Sequence, residues 1–245
     1  MLLAVDKPNW ITSYDVVHEL KRLFLKQKTC LPVGKVWHSG TLDPMASGLM
    51  IVGIWNDTKK LNEIQWLDKT YIATIDFSKS SDTRDLQYRK EIKNFELGIL
   101  NWWKKYIIKD WKKITAPNLD EIKEKLKKLI PSYNLPLTPF SAKKKNWKKF
   151  YELAREWNGI NENREMKVNS FQIIDYNFPE LRIEIDVGSW TYIRSIAYRL
   201  GNEFGLGWIL TKLRRTKIGK WDINDFEMKN IDGTKIKTSD KNILL

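Results

Sequence analysis

The chain has 245 residues, 42% of them hydrophobic, which is enough for one large domain or two small ones with a sizeable core. Lysine and arginine outnumber aspartate and glutamate by 43 to 30, and the resulting net charge of +13 favours a polyanionic partner such as nucleic acid. A single cysteine excludes an internal disulfide and fits the reducing cytoplasm, and two histidines argue against a structural zinc site. No apolar run is long enough to span a bilayer, so we expect a cytoplasmic protein that does not enter membranes.

The hydrophobic pattern predicts interleaved strands and helices. Thr12 or Ser13 can cap a helix that runs to about Lys26, and Thr191 can cap another that begins just after it. The predicted strands are Leu2–Val5, Val33–Trp37, Leu49–Ile54, Lys69–Phe77 and Leu181–Val187, and the further predicted helices are Thr58–Leu67, Leu119–Ile130 and the basic segment Lys143–Trp157. Residues 91–115 are basic and rich in tryptophan, and their pattern gives no firm assignment. The order of elements indicates an α+β fold around one main sheet.

A single carboxylate, Asp43, lies among small residues between Gly40 and Gly48, with Pro44 directly after it. Glycines allow the backbone to turn without a Cβ penalty and proline fixes φ, so this segment is expected to present one acid from a rigid loop. An aspartate before proline often only stabilises a turn through its side chain. From these residues alone, that structural role is favoured over catalysis.

Five separated segments together resemble one family. The most specific is His-Ser-Gly-Thr-Leu-Asp-Pro with Gly48, at residues 38–48, and the others are residues 6–17 (beginning Asp-Lys-Pro), 69–85 (Lys-Thr-Tyr to Ser-Asp-Thr-Arg-Asp), 141–155 (Ser-Ala-Lys-Lys to Leu-Ala-Arg) and 191–216 (Thr-Tyr-Ile-Arg to Leu-Arg-Arg-Thr). In this order and spacing the chain resembles the TruB family of tRNA pseudouridine synthases over roughly residues 2–221. The resemblance implies a pseudouridine synthase-like α+β catalytic domain, with a mixed, mainly antiparallel central sheet flanked by helices and loops.

The resemblance implies a reaction, the isomerisation of uridine to pseudouridine at position 55 in the T loop of tRNA. The base must be flipped out of its stack, detached from the ribose, rotated and rejoined through carbon. No cofactor and no metal are implied, because a C–N bond is exchanged for a C–C bond without redox. Two other functions remain open from the residues, a non-catalytic tRNA-binding chaperone and a nucleoside-cleaving hydrolase.

The family pattern assigns roles to six residues. Asp43 matches the catalytic aspartate, and the sequence does not decide whether it attacks the ribose, attacks the uracil or stabilises an oxocarbenium-like centre. Arg194 is expected to pair with Asp43, and Tyr71 to stack on the uracil and assist proton transfer. The remaining matched positions contact the flipped RNA or line the uracil pocket, and they are His38, Tyr192 and Leu213. Each of the six could instead be an ordinary structural residue.

The resemblance also predicts how RNA is bound. Residues 137–165 are similar to a basic element that clamps the RNA arm, with phosphate contacts expected from Lys143, Lys144, Lys148 and Lys149. Asp82 and Asp85 match a turn to which we assign a structural role. Family members usually continue into an RNA-binding PUA domain, whereas residues 222–245 are expected to form only a short tail. We expect a monomer whose partner is the T arm of tRNA.

Tryptophan is the main departure from the family pattern. The chain has 12 tryptophans, and six stand where the pattern has glycine: Trp10, Trp37, Trp55, Trp147, Trp157 and Trp190. Glycine permits positive φ and close backbone approach, and tryptophan permits neither without cost. Our hypothesis is that UGA codons that encode glycine in the source organism have been translated here as tryptophan. The alternative is a divergent, tryptophan-rich enzyme with a reshaped site.

Overall fold

The computed structural model describes residues 1–26, 35–86, 92–100, 104–137 and 162–227, together with the backbone of four short strands in the remaining segments. Within this part of the chain the α-helices are α1 (Ser13–Lys26), α2 (Leu61–Trp66), α3 (Leu119–Lys127) and α4 (Ile193–Glu203). The 3₁₀ helices are Trp55–Lys59 and Ile223–Asp225.

The strands of the described segments alternate with these helices along the chain. They are β1 (Leu2–Lys7), β2 (Val36–His38), β3 (Ser47–Ile54), β4 (Lys69–Asp76), β5 (Lys79–Ser80), β6 (Lys93–Asn94), β7 (Glu96–Leu100), β8 (Lys104–Lys109), β9 (Lys112–Thr115), β10 (Ser132–Pro136), β11 (Lys144–Lys145), β12 (Lys148–Lys149), β13 (Asn163–Asn177), β14 (Glu180–Val187), β15 (Ile209–Ile218), β16 (Trp221–Asp222), β17 (Lys229–Asn230) and β18 (Lys237–Thr238). The chain divides into two compact units, Met1–Tyr71 with Leu213–Leu245, and Ile72–Lys212.

The first unit is built on β3, which is buried along its whole length. β1 pairs with β3 antiparallel from Leu2 opposite Gly53 to Lys7 opposite Gly48, β2 pairs with it antiparallel, and β15 pairs with it parallel. Side chains alternate across the strands, so each face has its own core. On one face Leu3, Val5, Met50, Val52 and Ile54 pack with α1, and on the other Leu2, Ala4, Leu49 and Ile51 pack with α2 and the segment after β15.

In the second unit the long strand β13 lies between β10 and β14, antiparallel to both, and β4 lies on the far side of β14. β14 alternates as predicted, with Leu181, Ile183, Ile185 and Val187 fully buried. Residues 96–115, left unassigned by the sequence pattern, form the antiparallel sheet β7–β8–β9. The predicted α+β fold with a mixed, mainly antiparallel sheet is confirmed.

Two sequence predictions about helices are wrong. Thr191 does not cap α4, since Tyr192 is the N-cap residue and the Thr191 hydroxyl donates instead to the carbonyl of Lys167 at 3.1 Å. The basic segment 143–157 is not helical where its backbone is described, because β11 and β12 pair antiparallel there. Lys-rich composition suits an exposed strand as well as a helix, so the pattern did not discriminate. Lys143, Trp147 and Trp157 lie outside the described residues.

Four tryptophans of the described segments have a left-handed backbone. Trp10 has φ 68°, Trp55 has φ 56° and Trp190 has φ 66°, and all three are positions predicted to be glycine. Trp111, which the sequence did not single out, has φ 63°. Positive φ is an outlier for a bulky residue and ordinary for glycine. Trp37 is different, because it lies in β2 with its side chain 55% exposed and has no positive φ.

Within the described residues, no helix is both long and apolar enough to cross a membrane. The same residues contain no cluster of three or more histidine, cysteine, aspartate or glutamate side chains placed to bind a metal ion.

Candidate active site

Asp43 lies half-buried in the loop of residues 39–46 between β2 and β3. The side chain of Ser13, at the start of α1, forms hydrogen bonds with both backbone groups of Leu42. Its hydroxyl accepts from the Leu42 N–H at 2.9 Å and donates to the Leu42 carbonyl at 3.2 Å. The loop is closed by the Ala46 N–H, which donates to the Asp43 carbonyl at 3.0 Å. The residue before the acid is therefore fixed to a helix that belongs to the same core.

Lys7 fixes the residue after the acid. It is fully buried, and its ammonium donates to the carbonyls of Ile11 at 2.7 Å, Pro8 at 3.0 Å and Pro44 at 3.3 Å. The Trp10 N–H also donates to the Pro44 carbonyl, at 2.7 Å. Burial lowers the pKa of Lys7 to about 8, with Asp43 opposing that shift.

Arg215 supports the same loop from β15. The side chain is 1% exposed, and it donates through Nε to the Leu49 carbonyl at 2.7 Å and through Nη2 to the Gly40 carbonyl at 3.2 Å. Gly48 makes this approach possible, because it has φ +109° and a Cβ there would lie 2.2 Å from the Arg215 carbonyl oxygen. The loop is thus tied at Gly40, Leu42 and Pro44 to three separate elements.

His38 adjoins the loop as a neutral ring. The Gly40 N–H donates to its Nδ1 at 3.3 Å, and Trp37 stacks on it with ring centroids 5.4 Å apart. Burial, together with the nearby Arg215 charge, lowers the His38 pKa to about 4. At neutral pH His38 therefore carries its proton on Nε2 and can donate one hydrogen bond from that atom.

Tyr71 and Leu213 belong to the same unit and are 8% and 7% exposed, on β4 and β15 respectively. Lys69 precedes Tyr71 on β4, and its ammonium donates to the carbonyls of Gln65, at 2.7 Å, and Leu67. Burial and the Arg215 charge lower the Lys69 pKa to about 8. Lys7, Lys69 and Arg215 place three basic groups in the interior of this unit, and the Lys7 charge attracts the carboxylate of Asp43.

Arg194 belongs to the second unit, in the first turn of α4, and is 2% exposed. Its Nη1 donates to the Thr83 carbonyl at 3.0 Å and lies 3.3 Å from Oδ2 of Asp85, which is fully buried. The adjacent Arg84 has φ 63°, and its guanidinium lies 3.8 Å from the centroid of the Tyr198 ring. A buried arginine bound to a carboxylate and a carbonyl has little freedom, so its guanidinium is oriented by Asp85.

The predicted site residues fall into two groups. His38, Asp43, Tyr71 and Leu213 lie in the first unit, and Tyr192 and Arg194 lie in the second. Tyr192 is half-buried at the N-terminus of α4, where its N–H donates to the sulfur of Met166 at 3.4 Å. Lys144, Lys148 and Lys149 have described backbone only, and Lys143 has none.

Sequence reasoning missed three residues that support the site: Lys7, Ser13 and Arg215. All three lie in the segments that carry the family resemblance, so a signal was present. It could not be interpreted, since a lysine, serine or arginine in such a segment carries no sign of being buried against a particular carbonyl. The structural role expected for Asp85 agrees with its contact with Arg194.

A family model described as the TruB family pseudouridylate synthase N-terminal domain matches residues 26–193. The chain belongs to the TruB family. It is therefore an enzyme of the pseudouridine synthase class, and the Asp43 loop and most of the Arg194 surroundings lie within the matched residues.

Curated TruB relatives match nearly the whole chain. A protein of Caldicellulosiruptor saccharolyticus named tRNA pseudouridine synthase B is 35% identical over 91% of this chain and 68% of its own length. Proteins of the same name from Fusobacterium nucleatum and Chloroherpeton thalassium are 30% and 32% identical, over 69% and 86% of their own lengths.

Solved structures share the TruB fold of this chain. The structure of a Cbf5–Nop10–Gar1 complex includes a chain that matches with a TM-score of 0.61 at 21% identity, over 90% of this chain and 50% of that one. A chain of an H/ACA RNP bound to a substrate RNA matches with a TM-score of 0.58 at 20% identity, over 90% of this chain. This chain spans about half the length of those neighbours, and at such identity the likeness concerns the fold alone.

Proposed function

We propose that this protein converts uridine 55 in the T loop of tRNA to pseudouridine, in the cytoplasm and as a monomer. The relatives named tRNA pseudouridine synthase B support tRNA as the substrate. The observation that carries the proposal is the tying of the Asp43 loop at three points by buried polar groups. A loop fixed in this way can present one carboxylate to a flipped nucleotide without further ordering on binding.

Asp43 is proposed as the residue that acts on the glycosidic bond. Its carboxylate can form a covalent bond to the ribose or the uracil, or can stabilise positive charge on the sugar as the base leaves. Arg194 is proposed to pair with Asp43 while Asp85 fixes the guanidinium. The bidentate fork of arginine suits that pairing better than a lysine ammonium would.

The remaining site residues are proposed to bind the flipped nucleotide. Tyr71 stacks on the uracil and assists proton transfer at the base, and Tyr192 and Leu213 line the uracil pocket. His38, held neutral by its low pKa, donates a hydrogen bond from Nε2 to the RNA loop. Residues 137–165 are proposed to clamp the T arm through the phosphate contacts of Lys143, Lys144, Lys148 and Lys149.

The test is to incubate the protein with unmodified tRNA transcript and to map pseudouridine. We expect product at position 55, and we expect Asp43→Ala to lose product by at least a thousandfold while binding tRNA with unchanged affinity, since the substituted group acts on the bond and not on the phosphates. Asp120→Ala, which removes an exposed acid on α3, is the matched control.

Three outcomes contradict the proposal. Product formation that survives Asp43→Ala excludes Asp43 as the acting group, binding without any product indicates a tRNA-binding chaperone, and free uracil indicates a hydrolase. The assay is repeated with a variant that has glycine in place of seven tryptophans: Trp10, Trp37, Trp55, Trp111, Trp147, Trp157 and Trp190. This variant separates a loss of activity caused by the tryptophan side chains from a wrong assignment of the function.

A further inference from the structure

The three-stranded sheet β7–β8–β9 is a concentrated basic surface outside the proposed site. Its strands and the turn between β8 and β9 contain five lysines and two acids, Glu96 and Asp110. Residues directly opposite one another in an antiparallel pair share a face, so the register separates the side chains of the sheet into two sets.

On the inner face of the sheet, the central strand β8 packs against other parts of the second unit, while Leu97 and Ile99 of β7 are exposed. Ile107 at its centre is fully buried. The Lys105 ammonium donates to Asn177 Oδ1 at 2.7 Å and to the Phe178 carbonyl at 3.1 Å, and the Lys109 ammonium donates to the Leu206 carbonyl at 3.1 Å. Two of the five lysines therefore have a structural role, and they fix the orientation of the sheet.

The outer face presents Lys104 and Lys113, both exposed, on either side of the half-buried ring of Tyr106. The ring lies over Gly98 on β7, where a Cβ would be 2.2 Å from the ring carbon that bears the hydroxyl, and the Lys113 ammonium is 4.0 Å from the ring centroid. A glycine beneath the ring and a cation above it hold Tyr106 flat on the sheet. The face therefore offers two charged donors and a phenol hydroxyl on a rigid platform, with one exposed acid, Glu96, at its β7 edge opposite Ile108.

The lysines of this face differ from those of α3 in their ionic partners. On α3, Lys123, Lys125 and Lys127 form ion pairs with Asp120, Glu203 and Glu124. In the part of the chain that the structure describes, Lys104 and Lys113 make no ion pair. A basic surface whose charge the chain itself balances needs no partner, whereas this one is available to an external anion.

We propose that the outer face of β7–β8–β9 binds the sugar–phosphate backbone of the substrate RNA, with Lys104 and Lys113 contacting phosphates and the Tyr106 hydroxyl donating to a phosphate or ribose oxygen. This inference rests on the proposed function for the identity of the polyanion. Phosphate contacts require positive charge and carry no sequence information, which suits flexible lysines on a platform that lies outside the proposed site.

The test compares two double variants of equal charge. Lys104→Gln with Lys113→Gln removes the proposed contacts, and Lys123→Gln with Lys127→Gln removes two paired lysines of the same unit. With unmodified tRNA transcript, we expect the first double variant to lose roughly tenfold in affinity at 0.1 M salt and to lower the slope of log affinity against log salt by about 1 to 2. The control variant is expected to change neither quantity, and thermal melting confirms that both variants fold.

The inference is overturned by an equal loss in both double variants, which indicates net charge alone. It is also overturned by unchanged tRNA binding, and a loss of binding to phosphatidylglycerol vesicles would then identify a membrane as the partner. Pseudouridine formation by the unchanged protein is measured in the same reactions. Suppose that the unchanged protein makes no product but the Lys104/Lys113 double variant binds tRNA more weakly than the Lys123/Lys127 double variant. The proposed function then fails, and the RNA-binding surface stands. Product with equal binding by all variants rejects only the surface.

Discussion

The left-handed tryptophans are a conflict between residue type and backbone. A residue other than glycine, asparagine or aspartate in the left-handed backbone region costs roughly 1–2 kcal/mol. Trp111 shows the conflict most clearly: Lys109 pairs with Lys112, so Asp110 and Trp111 form a two-residue hairpin turn, and both have positive φ. Such turns favour Asp-Gly. Trp190 has positive φ at the third position of a turn closed by a hydrogen bond from Thr191 to Gly188, where glycine is again preferred.

Trp111→Gly is expected to raise the free energy of unfolding by about 1 kcal/mol, which raises Tm by roughly 2–4 °C. Trp111 is fully exposed, so its removal sacrifices no packing. Trp66→Gly is the matched control. Trp66 is 58% exposed but lies in α2, so glycine at this position is expected to lower the free energy of unfolding. Thermal and urea unfolding measure the stability of both variants. A Trp111→Gly variant that is less stable than the unchanged protein would contradict the expectation.

The origin of these tryptophans can be examined independently. Peptide mass mapping of the protein purified from its native host reads residues 10, 55, 111 and 190 directly. Glycine at these positions supports the codon hypothesis, and tryptophan at residue 190 rejects it. Trp37 is a separate case, because its strand backbone gives no conformational reason for glycine.

At the level of elements, the parallel contact between β3 and β15 positions the Asp43 loop. Arg215 on β15 lies opposite Gly48 on β3, and the close approach of the two backbones leaves no room for a side chain. Through this contact the guanidinium reaches the Gly40 and Leu49 carbonyls. Gly48 therefore supports the loop through Arg215.

Gly48→Ala is expected to destabilise the protein by about 3 kcal/mol or more, because left-handed strain and a backbone clash add. Gly205→Ala is the control: Gly205 also has positive φ, at +71°, but the nearest atom to its Cβ would be at 3.5 Å, so only about 1 kcal/mol is expected. Urea unfolding compares the two variants. Equal losses would show that strain alone acts at Gly48.

The elements were predictable where one periodicity dominated. α1, α3, β4 and β14 follow their apolar spacing within a few residues. The sheet β7–β8–β9 was not predictable, since Ile107 is its only fully buried residue and its lysines hide the alternation. Within the site, the candidate residues came from the family pattern, while the polar contacts of Lys7 and Arg215 depend on carbonyls distant in sequence and so leave no local signal.

For the whole molecule, two buried lysines and the half-buried His38 make stability depend on pH in one direction. The pKa values of Lys7 and Lys69 fall to about 8, and that of His38 to about 4. Each of these groups binds its proton more weakly in the folded chain than in the unfolded chain. Stability therefore rises with pH wherever the unfolded chain is still protonated and the folded chain is not, from about pH 4 to 6.5 for His38 and from about pH 8 to 10.5 for the lysines.

We expect the free energy of unfolding to increase by on the order of 2 kcal/mol between pH 7.5 and 9.5. Urea unfolding at the two pH values measures this increase in the free energy of unfolding. Lys69→Met should remove about half of it, and the exposed Lys220→Met should leave it intact. A flat or falling stability across this range would show that the two ammonium groups are as well solvated as in the unfolded chain.

The hydrogen bond from the Trp10 N–H to the Pro44 carbonyl joins residue 10 to the loop that carries Asp43. That N–H points at Pro44 only while residue 10 keeps its left-handed conformation, with φ 68°. Tryptophan strains this backbone conformation and glycine does not, so the residue type at position 10 bears on one of the contacts that hold the Asp43 loop. Under the codon hypothesis, the genetic code used for translation therefore affects the anchoring of the loop that carries Asp43, and not only the strain in the turn.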